Sequence, residues 1–277
     1  MRAHGSSIGR LTGLAGTLGL VVMGSLPLNQ TAAEPAQTEH QNLFASSSVT
    51  GESLLANLVL HDQMRARLLQ QYSVDRTYLV KTDGGKLRSE SHVFLTYKAP
   101  DSKEFKVVSE DGPSVIRKLV NTLLKSEVKA TSERSSLSSS ITSANYTFAL
   151  WGNEEIEGLP CFVVRAIPKR KDICLFEGKV WIDAREFAIV KIVGKPARNP
   201  SFWIKNAAFT RQYQRIGGCW LPLKDETTAE IRIFGKNSLT IYHNNYRVRM
   251  REDGTTKMTA ASLDFTRRLW VKDLAIN

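Results

Sequence analysis

The stretch from Gly178 to Val248 constrains the fold most. Runs rich in Val, Ile, Phe, Tyr, Trp and Thr are separated there by Asp183-Ala184-Arg185, Gly194-Lys195-Pro196, Gly217-Gly218 and Gly235-Lys236-Asn237. Short β-favouring runs cut by compact turn residues are the sequence form of an antiparallel meander. Ala229, Ile231 and Ile233 fall on one face of their run, with Thr228, Glu230 and Arg232 on the other. A sheet of this kind has one apolar face that must be covered or must hold something.

Upstream, the pattern first turns helical over Glu52 to Tyr72, where Leu60, Met64, Leu68 and Tyr72 recur at i+4 beside Leu54, Leu55, Leu58 and Val59. Glu52 lies in the first turn, where negative charge suits the helix dipole. Strands are expected over Arg76–Thr82, Ser91–Lys98 and Lys103–Glu110, joined by Asp83-Gly84-Gly85 and Ala99-Pro100-Asp101. A second helix starts at Pro113, and Ile116, Leu119, Val120, Leu123 and Leu124 form its apolar stripe, opposite Arg117, Lys118 and Lys125. Thr131 to Ser143 contains seven Ser and reads as a loop. Asn145 to Trp151 resumes strand, with Tyr146, Phe148 and Leu150 on one face. A hairpin then turns at Pro168–Asp172 between Cys161–Ile167 and Cys174–Ile182.

The N-terminus points to export. Arg2 and Arg10 precede an apolar Leu11–Leu28, and Thr31-Ala32-Ala33 supplies small residues for cleavage before Glu34. The alternative is an uncleaved membrane anchor, but Gly13, Gly16, Gly19 and Gly24 interrupt the apolar run. With no Cys near Gly24–Ala33 there is no lipidation site, so a soluble periplasmic or secreted protein is expected, with the periplasm as the expected compartment. The expected domains are a signal peptide over 1–33, a flexible polar arm over 34–50, one large β domain over 51–250, and a C-terminal extension over 251–277. In that extension Met258–Val271 is an edge strand or an irregular tail, and the sequence leaves both open.

Removing residues 1–33 takes two Arg and no acid from the 38 basic and 27 acidic residues, leaving a net charge of +9. A basic exported protein meets anionic headgroups, polyanionic glycans or acidic partners more readily than nucleic acid, though a merely solvated basic surface has the same composition. The three cysteines enter an oxidising compartment. The proposed hairpin sets Cys161 opposite Val180 and Cys174 opposite Ile167, too far apart along the ladder for a disulfide. All three read as small core hydrophobes, with a disulfide involving Cys219 left open.

No catalytic constellation stands out. His40, His61, His92 and His243 are isolated, no Cys pair lies two apart, and no G-x-S-x-G, P-loop or G-x-G-x-x-G occurs. Glu154, Glu155 and Glu157 read as a solvated tip, and Asp183 as a turn former. The expectation is therefore no enzyme, no metal and no cofactor.

Several stretches resemble the LolA/LolB-like family of bacterial outer-membrane lipoprotein-sorting proteins. They are Gly178-Lys179-Val180-Trp181-Ile182-Asp183, Pro200-Ser201-Phe202-Trp203, Trp220-Leu221-Pro222, Ile233-Phe234-Gly235, Ala99-Pro100-Asp101-Ser102-Lys103-Glu104-Phe105 and Asn145-Tyr146-Thr147-Phe148. The resemblance covers residues 52 to 250 and is a pattern of core and turn residues, more telling for fold than for activity. It implies a mainly β (α+β) fold: an incomplete antiparallel β-barrel of roughly ten or eleven strands, its mouth covered by amphipathic helices. It also implies a hydrophobic cavity for acyl chains. The candidates for its lining are Val93, Leu95, Phe105, Val107, Leu119, Leu123, Tyr146, Phe148, Leu150, Phe162, Val164, Ile231 and Ile233. Ordinary core packing accounts for any one of them, so the ligand expectation rests on the set and the resemblance. The resulting reading is a periplasmic carrier of lipoproteins or lipids. The anionic membrane surface is its expected neighbour, and the two helices act as a lid. The alternatives are an RseB-like lipid sensor acting through an envelope protein partner, an enzyme on envelope lipid or glycan, and a structural protein with a filled core.

Overall fold

The computed structural model describes residues 50–130, 140–199, 204–231 and 235–251, with the side chains of residues 129, 130, 204, 205 and 231 left aside. The signal peptide, nearly all of the N-terminal arm and of the C-terminal extension, Pro200–Trp203 and Ile233 lie outside them.

The described residues form α1 (Gly51–Leu68), β1 (Leu69–Thr82), β2 (Leu87–Lys98), β3 (Ser102–Asp111), α2 (Ser114–Ala130) and β4 (Tyr146–Ile156). There follow β5 (Leu159–Pro168), β6 (Phe176–Asp183), β7 (Ile189–Pro196), β8 (Ile204–Ile216), β9 (Cys219–Ile231) and β10 (Gly235–Met250). The ten strands make one antiparallel sheet in the order β3-β2-β1-β10-β9-β8-β7-β6-β5-β4. The sheet is open, as expected for an incomplete barrel. Its edges are β3 and β4, and α2 lies in the connection between them. The meander from β4 to β10 runs in chain order, and β1 joins it by pairing with β10, Tyr78 opposite Ile241.

Both helices pack on the same face of the sheet. Leu54, Leu55 and Leu58 of α1 pack with Tyr146, Val164, Ala166, Phe176, Val180, Ile182 and Ile192. Val120, Leu123 and Leu124 of α2 pack with Tyr78, Val80, Val93 and Leu239 on the other half. Between them Tyr72, Val74, Leu95, Tyr97 and Leu221 form a third cluster. The alternation is plain along β5 and β6. Phe162, Val164, Val180 and Ile182 join the helix-covered face, while Cys161, Val163 and Trp181 form a separate cluster with Ala188, Val190 and Trp220.

Helix α1 begins on a capping box, Thr50 Oγ1 accepting from Ser53 N at 3.1 Å and Ser53 Oγ accepting from Thr50 N at 3.1 Å. Arg65, near its end, donates to the carbonyls of Glu186 at 2.9 Å and Phe187 at 3.1 Å, so the β6–β7 turn fixes the helix's exit. The helix stops at Leu68, not Tyr72, and β1 starts at Leu69, well before Arg76. Tyr72, Val74, Arg76, Tyr78 and Val80 are buried at every second position, so period two wins from there on. The expected stripe at Leu60 and Met64 is exposed, at 53% and 51%; Leu54, Leu55 and Leu58 are buried in its place.

The hairpin of β5 and β6 also differs from expectation. Its register sets Cys161 opposite Asp183 and Val164 opposite Val180, and Cys174 precedes β6 in the turn. The three cysteines are free; Cys161 and Cys219 are buried, but Cys174 is exposed and is no core residue. Asp183 is the expected turn former, its Oδ1 accepting from Arg185 N at 2.9 Å and Glu186 N at 2.6 Å.

Gly178 and Gly194 face each other across β6 and β7. A Cβ at Gly178 would lie 2.1 Å from the Val193 carbonyl oxygen and 2.6 Å from Gly194 Cα, both backbone atoms that cannot yield cheaply. Gly178→Ala is expected to destabilise the fold by about 1–3 kcal/mol, the range for overpacking. Gly84→Ala, with only Thr82 Oγ1 at 4.0 Å, should change stability by less than about 0.5 kcal/mol. Urea unfolding of the two variants beside the parent checks both.

Candidate functional site: the helix-covered face

The expected lining residues divide among the clusters under the helices. Tyr146 and Val164 are buried under α1, with Phe148 and Phe162 half-buried beside them. Val93 and Leu123 are buried under α2, with Phe105 and Val107 packed against them. Leu95 belongs to the middle cluster. Leu119 is half-buried on α2. Leu150, opposite Val164 on the edge strand, is 43% exposed. Ile231 pairs through its backbone with Gly235 and Ile204, and Ile233 lies outside the described residues.

The sequence reading missed a charged centre on the same face. The Arg76 guanidinium on β1 donates to Glu127 of α2 through both terminal nitrogens, Nη1 to Oε2 at 2.7 Å and Nη2 to Oε1 at 3.1 Å. Lys103 Nζ on β3 donates to the same Oε1 at 2.8 Å. A second set lies on β8, β9 and β10: Arg211 Nε donates to Asp225 Oδ1, and His243 Nε2 is 2.9 Å from Asp225 Oδ2. Arg76 and His243 are opposite each other in the β1–β10 ladder and are 5% and 2% exposed, so the two sets adjoin.

Burial alone would disfavour every one of these charges. It is overcome for Glu127 by the charges and hydrogen bonds of Arg76 and Lys103, which hold its carboxyl well below the usual carboxylate range. For Asp225, Arg211 and His243 outweigh burial in the same way and lower its pKa. Burial, then the nearby Arg76 charge, lowers the His243 pKa against the pull of Asp225. The imidazole is therefore neutral at pH 7, and with Asp225 ionised its Nε2 carries the proton. Burial pushes the Tyr78 hydroxyl up to about 12. His243 Nδ1, Arg76 Nε and Ser91 Oγ are buried with no hydrogen-bond partner among the described residues.

The signal for this centre is phase. Arg76 sits in step with Tyr72, Val74, Tyr78 and Val80; Lys103 with Phe105 and Val107; His243 with Leu239 and Ile241. Glu127 follows Leu123 by four and Leu124 by three, which places it on the buried side of α2. Charges in core phase mark buried ion pairs. Among the described residues no group of three or more His, Cys, Asp or Glu is placed to hold a metal ion.

No protein-family model matches the sequence, and no curated protein matches it. Among solved structures the chain is similar to a DUF1329 family protein from Desulfovibrio piger, at 12% identity and TM-score 0.39, covering 74% of this chain and 95% of that one. It is similar to a Vibrio parahaemolyticus domain to which outer membrane lipoprotein sorting has been ascribed, at 14% identity and TM-score 0.38, covering 74% and 97%. It is similar to a LolA superfamily protein from Nitrosomonas europaea, at 11% identity and TM-score 0.34, covering 75% and 97%.

Two predictions concern the charged centre. Removing one partner of a buried pair leaves an uncompensated charge, so Glu127→Ala should cost about 3–5 kcal/mol. Glu177→Ala, which breaks the solvent-exposed pair with Arg165, should cost less than about 1 kcal/mol. Chemical denaturation of both variants tests the contrast.

The second concerns pH. The folded-state pKa of His243 lies below the ordinary 6.5, so unfolding takes up a proton. Its contribution is present above about pH 6.5 and is lost as pH falls below that. Glu127 and Asp225, lowered from 4.5 and 3.8, act only at lower pH, their contributions being lost as pH falls from those values. The midpoint of urea unfolding should therefore decline between about pH 7 and pH 5 in the parent and stay flatter in His243→Gln. Identical slopes would show that His243 is not buried neutral.

Proposed function

We propose that this chain is an acyl-chain carrier of the bacterial periplasm, taking up lipoproteins or lipids on the helix-covered face of the sheet and catalysing no reaction. The observation that carries this reading is the cover itself. Among the described residues one sheet face is shielded by two separate helices, each over its own apolar cluster, and not by a second sheet. A helix lying on a sheet can be displaced without breaking the strand ladder, so the fold can expose and re-cover apolar surface. Each methylene moved from water onto that surface contributes about 0.8 kcal/mol, enough for a chain of ordinary length to hold cargo with no covalent step. The basic sequence, +11 overall, supports work beside anionic membrane surfaces. The Arg2/Arg10, Leu11–Leu28 and Thr31–Ala33 pattern supports export.

A neutral fluorescent acyl ester tests the proposal. The parent should bind it with enhanced emission. Leu119→Ala should weaken binding several-fold while lowering the melting temperature of the ligand-free protein little, because Leu119 is only half-buried. Leu123→Asp should abolish binding, since an unpaired carboxylate in an apolar cluster is strongly disfavoured. A parent that binds neither this ester nor the corresponding long-chain acid contradicts the reading.

A further inference from the structure

Acyl chains need only apolar surface, yet the helix-covered face holds ionised groups at its centre. Their division between elements is informative. Two cations that grip Glu127 belong to the sheet, Arg76 on β1 and Lys103 on β3, while the carboxylate belongs to α2. The nearest other carboxylate of the centre, Asp225, is engaged by Arg211 and His243. If α2 lifts, the sheet keeps two cations whose counter-charge has left with the helix.

The sheet also offers a donor that Glu127 does not use. Arg76 Nε has no partner among the described residues. Arg76 is 5% exposed, so this donor is held out of water. A guanidinium fork with a lysine beside it matches the oxygens of a carboxylate or phosphate. The surroundings are apolar on both sides along β1, with Val74 and Tyr72 before Arg76 and Tyr78 and Val80 after it.

We propose that Arg76 and Lys103 form a seat for the anionic oxygen head, carboxylate or phosphate, of an amphiphile, and that Glu127 fills this seat while α2 covers the sheet. This deepens the carrier reading and rests on it. Exchange of Glu127 for an anionic head conserves the local charge. A neutral head leaves two buried cations uncompensated, and such a charge is strongly unfavourable. Selectivity for acidic amphiphiles then comes from the penalty on neutral ones.

The test compares a long-chain fluorescent fatty acid with its methyl ester, using the full chain. The parent should bind the acid several-fold more tightly. In Glu127→Gln the surrogate carboxylate is gone, so the acid should tighten about ten-fold and the ester should not. Glu104→Gln makes the same charge change on an exposed neighbour of Lys103 and should leave the acid-to-ester ratio as in the parent. Lys103→Met keeps the Arg76–Glu127 pair and should lose most of the acid preference; it carries the test if Glu127→Gln does not fold. Acetate and inorganic phosphate, at the concentration of the acid, should not displace it. Displacement by phosphate alone would reassign the seat to a free anion and overturn the proposal. Equal binding of acid and ester by the parent and all variants overturns the seat and leaves the carrier reading standing. Binding of neither probe overturns the carrier reading itself.

Discussion

The ten-stranded sheet of the described residues presents one long apolar face, and the two helices described keep it from water. Ten strands at about 4.8 Å spacing span roughly 43 Å. A helix is about 10 Å thick and, at 17 or 18 residues, about 26 Å long. Each helix therefore shields its own half, and the middle is closed by other means. Aromatic side chains do part of it, the Tyr72 ring stacked on Tyr97 at 5.2 Å and tilted against Tyr246 at 5.8 Å. Ion pairs do the rest. Glu127 reaches from α2 to Arg76 and Lys103, and Asp225 joins β8, β9 and β10 through Arg211 and His243.

This division has a mechanical consequence. Helix α1 is tied at both ends, by its start against the β4 backbone and by Arg65 on the β6–β7 turn. A Cβ at Gly51 would lie 2.8 Å from the Phe148 carbonyl oxygen, so the start of the helix rests directly on that strand. Helix α2 is held by apolar packing, by the Glu127 carboxylate and by Asn121 Nδ2, which donates to Glu110 Oε1 of β3 at 2.7 Å. Apolar contacts are non-directional and can be replaced by an acyl chain of similar area. The bidentate pair is directional and can be replaced only by another anion. Of the two helices, α2 is the one whose contacts a ligand can imitate.

Much of this was legible beforehand. The meander from β6 to β10 follows the breakers at Asp183, Gly217-Gly218 and Gly235, because turn chemistry is local and strand propensity strong. Helix α2 follows from its stripe at 3, 4, 7 and 8. The α1–β1 boundary did not, because Leu68 and Tyr72 fit a helical spacing and an alternating one equally, and the sheet decides between them. The β5–β6 register failed for a related reason. Lys169 to Leu175 make a longer connection than a tight turn, and nothing in that basic stretch marks its far end. The charged centre was written in phase with the core, at Arg76, Lys103, Glu127 and His243, but its pairing joins residues up to 51 positions apart in the Arg76–Glu127 case. Such a pairing is a property of the folded sheet.

Acyl cargo on the helix-covered face would be read by mass spectrometry of the organic extract from protein purified without detergent out of its native envelope. Acyl lipids are expected at near-stoichiometric amounts, enriched in acidic species over the bulk membrane, and lost from Leu123→Asp prepared in parallel. An extract with no more lipid than an unrelated exported protein of equal charge would contradict the carrier reading, and would mean that the clusters under α1 and α2 are filled core.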